Sequence, residues 1–134
     1  MNRLIAYMVI MPITLMPPAL VASPSNTLFS DYAQASTDPF SAERGQQLWN
    51  QEFLHAKSKT LRSCAVCHTD ELTQYGKHKR TQKTIAPLAP SVNAERLSDV
   101  KKVKKWLKRN CKWTLGRECT PQEKGDLLTF IQSK

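Results

Sequence analysis

The fold of this chain follows from one stretch of its sequence, Cys64-Ala65-Val66-Cys67-His68. Two cysteines three positions apart lie on one turn of the backbone, and a histidine follows the second at once. This arrangement is the attachment pattern of c-type haem, in which both thiols join the haem vinyl groups and the imidazole coordinates iron. It predicts one covalent haem c as cofactor, with Cys64 and Cys67 as its anchors and His68 as the proximal iron ligand.

Two other kinds of site could use the same cysteines. A redox dithiol needs the two thiols but not His68, and a zinc site could combine Cys64 and Cys67 with Cys111 and Cys119. Haem is favoured because a chain of only 134 residues, 40% of them hydrophobic, has a small core of its own. A domain this small usually depends on a disulfide, a metal or a cofactor.

Residues 1–22 have the composition of a secretory signal peptide. Arg3 precedes a short apolar run, and the segment ends in small residues up to Ala22. An uncleaved membrane anchor is the alternative, since such an anchor needs about 20 apolar residues, but three prolines weaken it. We expect cleavage and export to the periplasm. Loss of Arg3 lowers the net charge from +9 to +8, and all four methionines are lost with the segment.

The remaining chain divides into an irregular or loosely helical lead-in over 23–40 and one monohaem domain over 41–134. Ser41 is a plausible N-cap for a helix that reaches Phe53. Ser98-Asp99 introduces an amphipathic helix with Asn110 on its apolar stripe, and Thr120-Pro121-Gln122-Glu123 is a capping box that opens the last helix. No strand pattern is found. We expect an all-α fold of three to four helices and long loops, and the length excludes a multidomain enzyme, a repeat array or a polytopic membrane protein.

The sixth iron position cannot be filled by a methionine once the signal peptide is removed. The candidates are His55, His78, a lysine, Asn110, or no ligand. A carboxamide on an apolar stripe needs a partner, which favours Asn110, although it could instead cap the end of its helix. An amide oxygen is a weak ligand that should leave ferrous iron easily and open a site for a diatomic gas.

Two further groups of residues have a predicted role. An exported protein favours a disulfide between Cys111 and Cys119, and this bond could be structural or redox-active. Lysines cluster on the outer face of the Asn110 helix, where a solvated surface is the plain interpretation and attraction of an acidic redox partner is the functional one. Nucleic acid is not an expected partner. The lysines are Lys101, Lys102, Lys104, Lys105 and Lys108.

Several segments besides the haem motif resemble the sphaeroides haem protein (SHP) family, which are oxygen-binding cytochromes c with one haem. The resemblance begins near Ala42 and continues to the C-terminus. It implies a class I cytochrome c fold, His68 as proximal ligand, and Asn110 as a distal ligand that detaches on reduction so that oxygen or nitric oxide binds. It also implies a Cys111–Cys119 disulfide near the haem and electron delivery from a dihaem cytochrome c. The matching segments are Arg80-Thr81 with Lys83, Ile85-Ala86-Pro87-Leu88-Ala89-Pro90-Ser91, Lys105-Trp106-Leu107-Lys108-Arg109-Asn110-Cys111, Gly116-Arg117-Glu118-Cys119-Thr120-Pro121, and Glu123-Lys124 before Leu127-Leu128.

The wider class I pattern adds two expectations about packing. The Pro87 carbonyl should accept the ring N–H of His68, and Gly45 should allow the first and last helices to cross closely against Phe130. Pro87, Leu88 and Trp106 are expected in the haem pocket.

The resulting hypothesis is an exported monomer that takes part in electron transfer and binds a diatomic gas. One alternative is a plain electron carrier with iron held by two histidines. Another is an enzyme that oxidises nitric oxide or reduces a small oxyanion.

Overall fold

The computed structural model describes residues 24–134 and bears out the prediction of a helical fold over that range. Its longest helix has 16 residues, and the shortest is a single turn within the haem motif. No helix in the described range has the length and apolarity needed to cross a bilayer. In chain order the helices are α1 (Pro24–Ala33), α2 (Ala42–Asn50), α3 (Ala65–His68), α4 (Val100–Leu115) and α5 (Pro121–Gln132).

The prediction that the chain has no strands is wrong. Two antiparallel hairpins flank α3, one on each side along the sequence. Each strand has only two residues, which is too short for the alternating pattern that indicates a strand in a sequence. The strands are β1 (Phe53–Leu54) paired with β2 (Leu61–Arg62), and β3 (Gly76–Lys77) paired with β4 (Thr84–Ile85).

The segment predicted as an irregular lead-in begins with helix α1, which packs against α4 and α5. Leu28 is its anchor, with 1% of its surface exposed. An ion pair of 2.8 Å between Asp31 and Lys104 joins α1 to α4. A single deeply buried leucine produces no apolar period, so the sequence pattern could not reveal this helix.

Helices α2 and α5 cross at the centre of the fold. A Cβ atom on Gly45 would overlap the backbone of Asp126 and touch Phe130, so the expected close crossing at Gly45 is confirmed. Trp49 from α2 and Phe130 from α5 meet in the core with ring centroids 5.8 Å apart. This pair of helices forms the rigid base beside which the haem motif lies.

The predicted helix starts agree with the observed caps. The Ser41 side chain accepts a hydrogen bond from the backbone of Arg44, and Thr120 and Glu123 form the complete capping box of α5. Helix α4 continues five residues beyond Asn110 to Leu115 and is capped by Gly116, which has a φ of 76° that glycine adopts easily. Asn110 therefore lies inside the helix, and its alternative role as a helix cap is wrong.

Candidate haem site

A large cavity brings together most of the residues predicted to form the site. Its volume is about 1320 Å³, which exceeds the 300–1,000 Å³ or so typical of sites for drug-sized ligands. α3 contributes one part of the wall and α4 another. The predicted residues on the wall are Cys64, Cys67, His68, Leu88, Trp106, Asn110, Cys111 and Cys119.

The environment of His68 favours the neutral form of its imidazole. Burial, helped by the positive charge of Arg96 and by His78, lowers the pKa of His68 to about 4. The Trp49 ring packs beside it, with centroids 5.6 Å apart, and the indole N–H donates to the carbonyl of Thr69 over 2.8 Å. A neutral imidazole is the form that binds a metal.

The expected bond from His68 to the Pro87 carbonyl is not formed. Nδ1 of His68 is buried without a hydrogen-bond partner among the described residues. The Pro87 oxygen instead accepts from Arg96 Nε at 2.7 Å and from Asn93 Nδ2 at 3.1 Å. Pro87 is not on the cavity wall, whereas Leu88 is. The prediction for Pro87 therefore fails in this geometry because other donors hold its carbonyl.

The thiols of Cys64 and Cys67 are free, and the surroundings of Cys64 disfavour its thiolate. Burial raises the pKa of Cys64 to about 11, although a hydrogen bond with Thr114 works in the opposite direction. A dithiol that attacks disulfides needs a lowered pKa, since the thiolate is the nucleophile. Cys64 is thus kept as a neutral thiol.

The zinc alternative is wrong. Cys111 and Cys119 form the predicted disulfide, with Cα atoms 5.6 Å apart, so neither offers a thiolate to a metal. Within residues 24–134 no cluster of three or more histidine, cysteine or acidic side chains could hold a metal ion.

The residues around the cavity fit a haem. Two free thiols and a neutral imidazole face one space, which supplies the anchors and one axial ligand that c-type haem requires. Charged side chains occur at the wall as well, among them Arg62, Arg80 and Arg96. The apolar lining residues include Trp49, Ile85, Leu88, Leu107, Leu127 and Ile131.

Several candidates for the sixth ligand lie on the wall: His55, His78, Asn110 and the lysines Lys79, Lys83, Lys102 and Lys112. The two histidines and Asn110 differ in their hydrogen bonds. Nδ1 of His55 accepts from the backbone N–H of Ser58 at 3.2 Å, and Nδ1 of His78 accepts from the backbone N–H of Thr81 at 3.1 Å. An accepting Nδ1 places the proton of a neutral ring on Nε2, so neither nitrogen has a free lone pair for iron. The Asn110 carboxamide is half-buried and has no hydrogen-bond partner among the described residues.

Trp106 lies at the edge of the cavity and not deep within it. Its side chain lines the wall, yet the residue is 51% exposed, and the Arg109 guanidinium lies 5.1 Å from its ring centroid. The role of Trp106 as a haem-pocket residue stays a prediction.

The five lysines of the predicted partner surface are all exposed on α4. Lys102, Lys104 and Lys108 pair with carboxylates at 3.7, 2.8 and 3.5 Å. Lys101 and Lys105 have no ion-pair partner within residues 24–134. Part of the positive charge is therefore balanced within the chain, and the rest is available to solvent or a partner.

Sequence reasoning missed Asn93 and Arg96. They lie six and nine residues beyond the carbonyl that they share, in a stretch without regular secondary structure. No periodic or capping pattern marks such residues, because the contact depends on how the loop folds back on itself.

Comparison with known proteins gives a consistent result. A family model described as a domain of unknown function (DUF1924) matches residues 35–131. The chain is 42% identical to cytochrome c-type protein SHP of Cereibacter sphaeroides over 118 residues, which is 87% of this chain and 90% of that protein.

Solved structures agree with this assignment. The structure of oxidised SHP, an oxygen-binding cytochrome c, superimposes with a TM-score of 0.73 at 39% identity, covering 82% of this chain and 96% of that one. Oxidised cytochrome c'' from Methylophilus methylotrophus gives a TM-score of 0.72 at 30% identity, covering 83% and 94%. The chain has the cytochrome c fold and belongs to the SHP family of c-type cytochromes.

Proposed function

We propose that this protein is an exported cytochrome c with one haem, and that its reduced form binds a diatomic gas after Asn110 detaches from the iron. The observation that carries the proposal is the placement of Cys64, Cys67, His68 and Asn110 on the wall of one cavity. The similarity to an oxygen-binding cytochrome c supports it.

Cys64 and Cys67 would hold the haem through two thioether bonds, and His68 would be its proximal ligand. When bound, haem supplies an iron ion that exchanges one electron and coordinates small ligands. The protein contributes the wall of the cavity and a neutral imidazole. Because burial keeps His68 unprotonated well below neutral pH, its lone pair stays available for the metal over the physiological range.

Asn110 is the best candidate for the displaceable ligand. Its helix is anchored by the Cys111–Cys119 disulfide immediately after it, so the carboxamide is held at the cavity wall. The bonds to Nδ1 of His55 and His78 disfavour the alternative of iron held by two histidines. Haem-ligand detachment is described for the solution structure of cytochrome c'', which has a TM-score of 0.70 to this chain.

Visible spectra of the purified protein test this proposal. The reduced protein should be high-spin or mixed-spin and should change when carbon monoxide is added. Asn110→Ala should bind carbon monoxide faster, since no side chain has to leave, and Asn110→His should suppress binding by saturating the iron. His78→Ala is the matched control and should leave the ferric spectrum unchanged. A sharp low-spin reduced spectrum that ignores the gas would refute the proposal.

Electrons would reach the haem from an acidic redox partner, and the resemblance suggests a dihaem cytochrome c. The exposed lysines of α4 support such a contact, above all Lys101 and Lys105, which pair with no carboxylate in the described part of the chain. Reversing both charges to Glu should slow reduction by the partner at low ionic strength and reduce the salt dependence of its rate. Lys57→Glu, on the loop between β1 and β2, is the control. Equal rates for all three proteins would argue against this surface.

The location and assembly belong to the same proposal. Residues 1–22 would be a cleaved signal peptide directing the protein to the periplasm, and this segment lies outside the described residues. The Cys111–Cys119 disulfide supports an oxidising compartment. We propose a monomer, with 41–134 as the haem domain. Mass spectrometry of the secreted protein should find the chain beginning near Ser23 with one haem added, and light scattering should give the monomer mass.

A further inference from the structure

Arg62 joins the β1–β2 hairpin, which leads into the haem motif, to the last turns of helix α4. Its Nη1 donates to the backbone carbonyl of Trp113 over 2.9 Å. The guanidinium also lies over the indole ring of Trp113, 4.6 Å from the centroid, where the face of the ring attracts a positive charge. Its Nη2 donates to the hydroxyl of Ser58, on the loop of the hairpin, over 3.3 Å. One side chain thus holds the hairpin and α4 together.

The two segments that Arg62 joins carry different parts of the proposed haem site. Cys64, the first haem anchor, lies two residues after Arg62. Trp113 lies three residues after Asn110 on α4, and residues at that spacing are neighbours on one face of a helix. Arg62, Asn110 and Trp113 all line the same cavity. The contact therefore connects the chain beside the haem anchors to the turn of α4 that carries the predicted distal ligand.

The same turn of α4 has a second contact with the haem motif and a third with the segment before α5. The side chain of Thr114, 3% exposed, forms a hydrogen bond with that of Cys64. The Cys111–Cys119 disulfide ties the turn to the segment before α5. Of the two contacts with the motif, that of Thr114 is buried and that of Arg62 reaches the surface. Arg62 can therefore be replaced without opening the core.

We propose that Arg62 is a positioning residue for Asn110: by holding Trp113 to the hairpin, it keeps the Asn110 carboxamide where it binds ferric iron. This role rests on the proposed function, because it needs Asn110 as the distal ligand. A side chain that binds a metal has to be held within about 0.5 Å of its productive position by the residues around it. Without Arg62, the turn of α4 that carries Asn110 is free to move away from the haem.

The affinity of the ferric haem protein for added imidazole tests this role. Imidazole is a neutral ligand that has to displace Asn110, so the loss of a charge does not repel it. Arg62→Met keeps the length of the side chain but removes its hydrogen bonds and its charge. We expect this variant to bind imidazole about tenfold more tightly, at the lower end of the effects known for outer partners of metal ligands. Its ferric spectrum should shift toward that of Asn110→Ala.

Two further variants separate position from charge. Arg62→Lys keeps the charge and one donor near the carbonyl of Trp113, but not the planar fork of the guanidinium. It should restore part of the wild-type affinity and spectrum. Lys57→Met is the matched control, since it removes a positive charge from an exposed position on the same hairpin loop. It should leave the imidazole affinity and the ferric spectrum unchanged.

The combined variant Arg62→Met, Asn110→Ala shows whether Arg62 acts through Asn110. If it does, the loss of Arg62 should add nothing once Asn110 is gone. An equal gain in imidazole affinity with and without Asn110 would overturn the positioning role. If Arg62→Met does not fold, the same comparison is made with Arg62→Lys.

The remaining outcomes distinguish this role from the function on which it rests. If Asn110→Ala changes the ferric spectrum and the imidazole affinity while Arg62→Met changes neither, only the role of Arg62 is overturned. If Asn110→Ala itself changes neither, Asn110 is not the distal ligand. The proposed ligand release and the role of Arg62 are then overturned together.

Discussion

The α-carbon of Gly45 in α2 lies directly against the backbone carbonyl of Asp126 in α5, with no room for a methyl group between them. The same two helices are joined beside this contact by Arg44, whose guanidinium binds both oxygens of the Asp126 carboxylate at 2.9 and 3.0 Å. Backbone contact and ion pair together set the distance between the helices. That distance fixes Trp49, and through Trp49 the wall behind His68.

Gly45→Ala should destabilise the protein strongly. The added methyl group would push on the backbone of Asp126 and on Cβ of Phe130, and neither can move without separating the helices. Overpacking of this kind costs about 1–3 kcal/mol and occasionally more. Urea unfolding of the haem protein measures the loss. Gln46→Ala, at an exposed position of the same helix, is the control and should stay within about 0.5 kcal/mol of the wild type.

Asp126 should make the stability depend on pH in the acid range. Burial alone would raise the pKa of Asp126, but hydrogen bonds from Arg44, from the backbone of Ser41 and from Gln122 outweigh it and hold the pKa below its usual value. A carboxylate whose pKa is lowered by folding stabilises the protein above its unfolded-state pKa. That contribution disappears as the pH falls through the folded-state pKa.

Two substitutions isolate this contribution. Acidification should lower the free energy of unfolding less in Asp126→Asn than in the wild type, because the variant has no charge at this position at any pH. Asp126→Ala, which also leaves the Ser41 N–H without its acceptor, should cost about 1–3 kcal/mol at neutral pH. Glu43→Gln removes an exposed carboxylate of α2 and serves as the control. Identical acid curves for wild type and Asp126→Asn would contradict the assignment.

The Cys111–Cys119 disulfide should stabilise the chain modestly. It closes a loop of eight residues, for which the chain-entropy relation gives roughly 2–3 kcal/mol. The double variant Cys111→Ala, Cys119→Ala should lose about that much in urea unfolding. If the bond also holds Asn110 in place, the variant should bind carbon monoxide faster. Reducing agent added to the double variant should have no further effect, which controls for other thiol chemistry.

Trp49→Phe should loosen Thr69, the residue that follows His68. Trp49 is 4% exposed, and its indole N–H holds the carbonyl of Thr69. Thr69 follows His68 directly and has a φ of 64°, which a β-branched residue rarely adopts. Phenylalanine keeps the ring but leaves that carbonyl unpaired, at a cost of about 1–3 kcal/mol. Thermal unfolding measures the change, and Tyr75→Phe at an exposed position should have little effect.

Local patterns in the sequence predicted the elements whose formation depends on a few neighbouring residues. The haem motif, the caps at Ser41 and Thr120, and the amphipathic stripe of α4 each lie within about two turns of helix. The hairpins were missed because their strands contain only two residues. Helix α1 was expected at most as a loosely helical stretch, because only Leu28 reaches the core deeply.

The sequence by itself determined that this chain carries two thiols and an imidazole at the spacing required by one haem edge, since that spacing is a property of adjacent residues. Tertiary structure decided what surrounds them. In the folded chain Asn110 and His68 line the same cavity. The Nδ1 atoms of His55 and His78 accept hydrogen bonds from backbone N–H groups, and the Pro87 carbonyl accepts one from Arg96. These choices depend on contacts between segments that meet only when the chain is packed, and no local spacing records them.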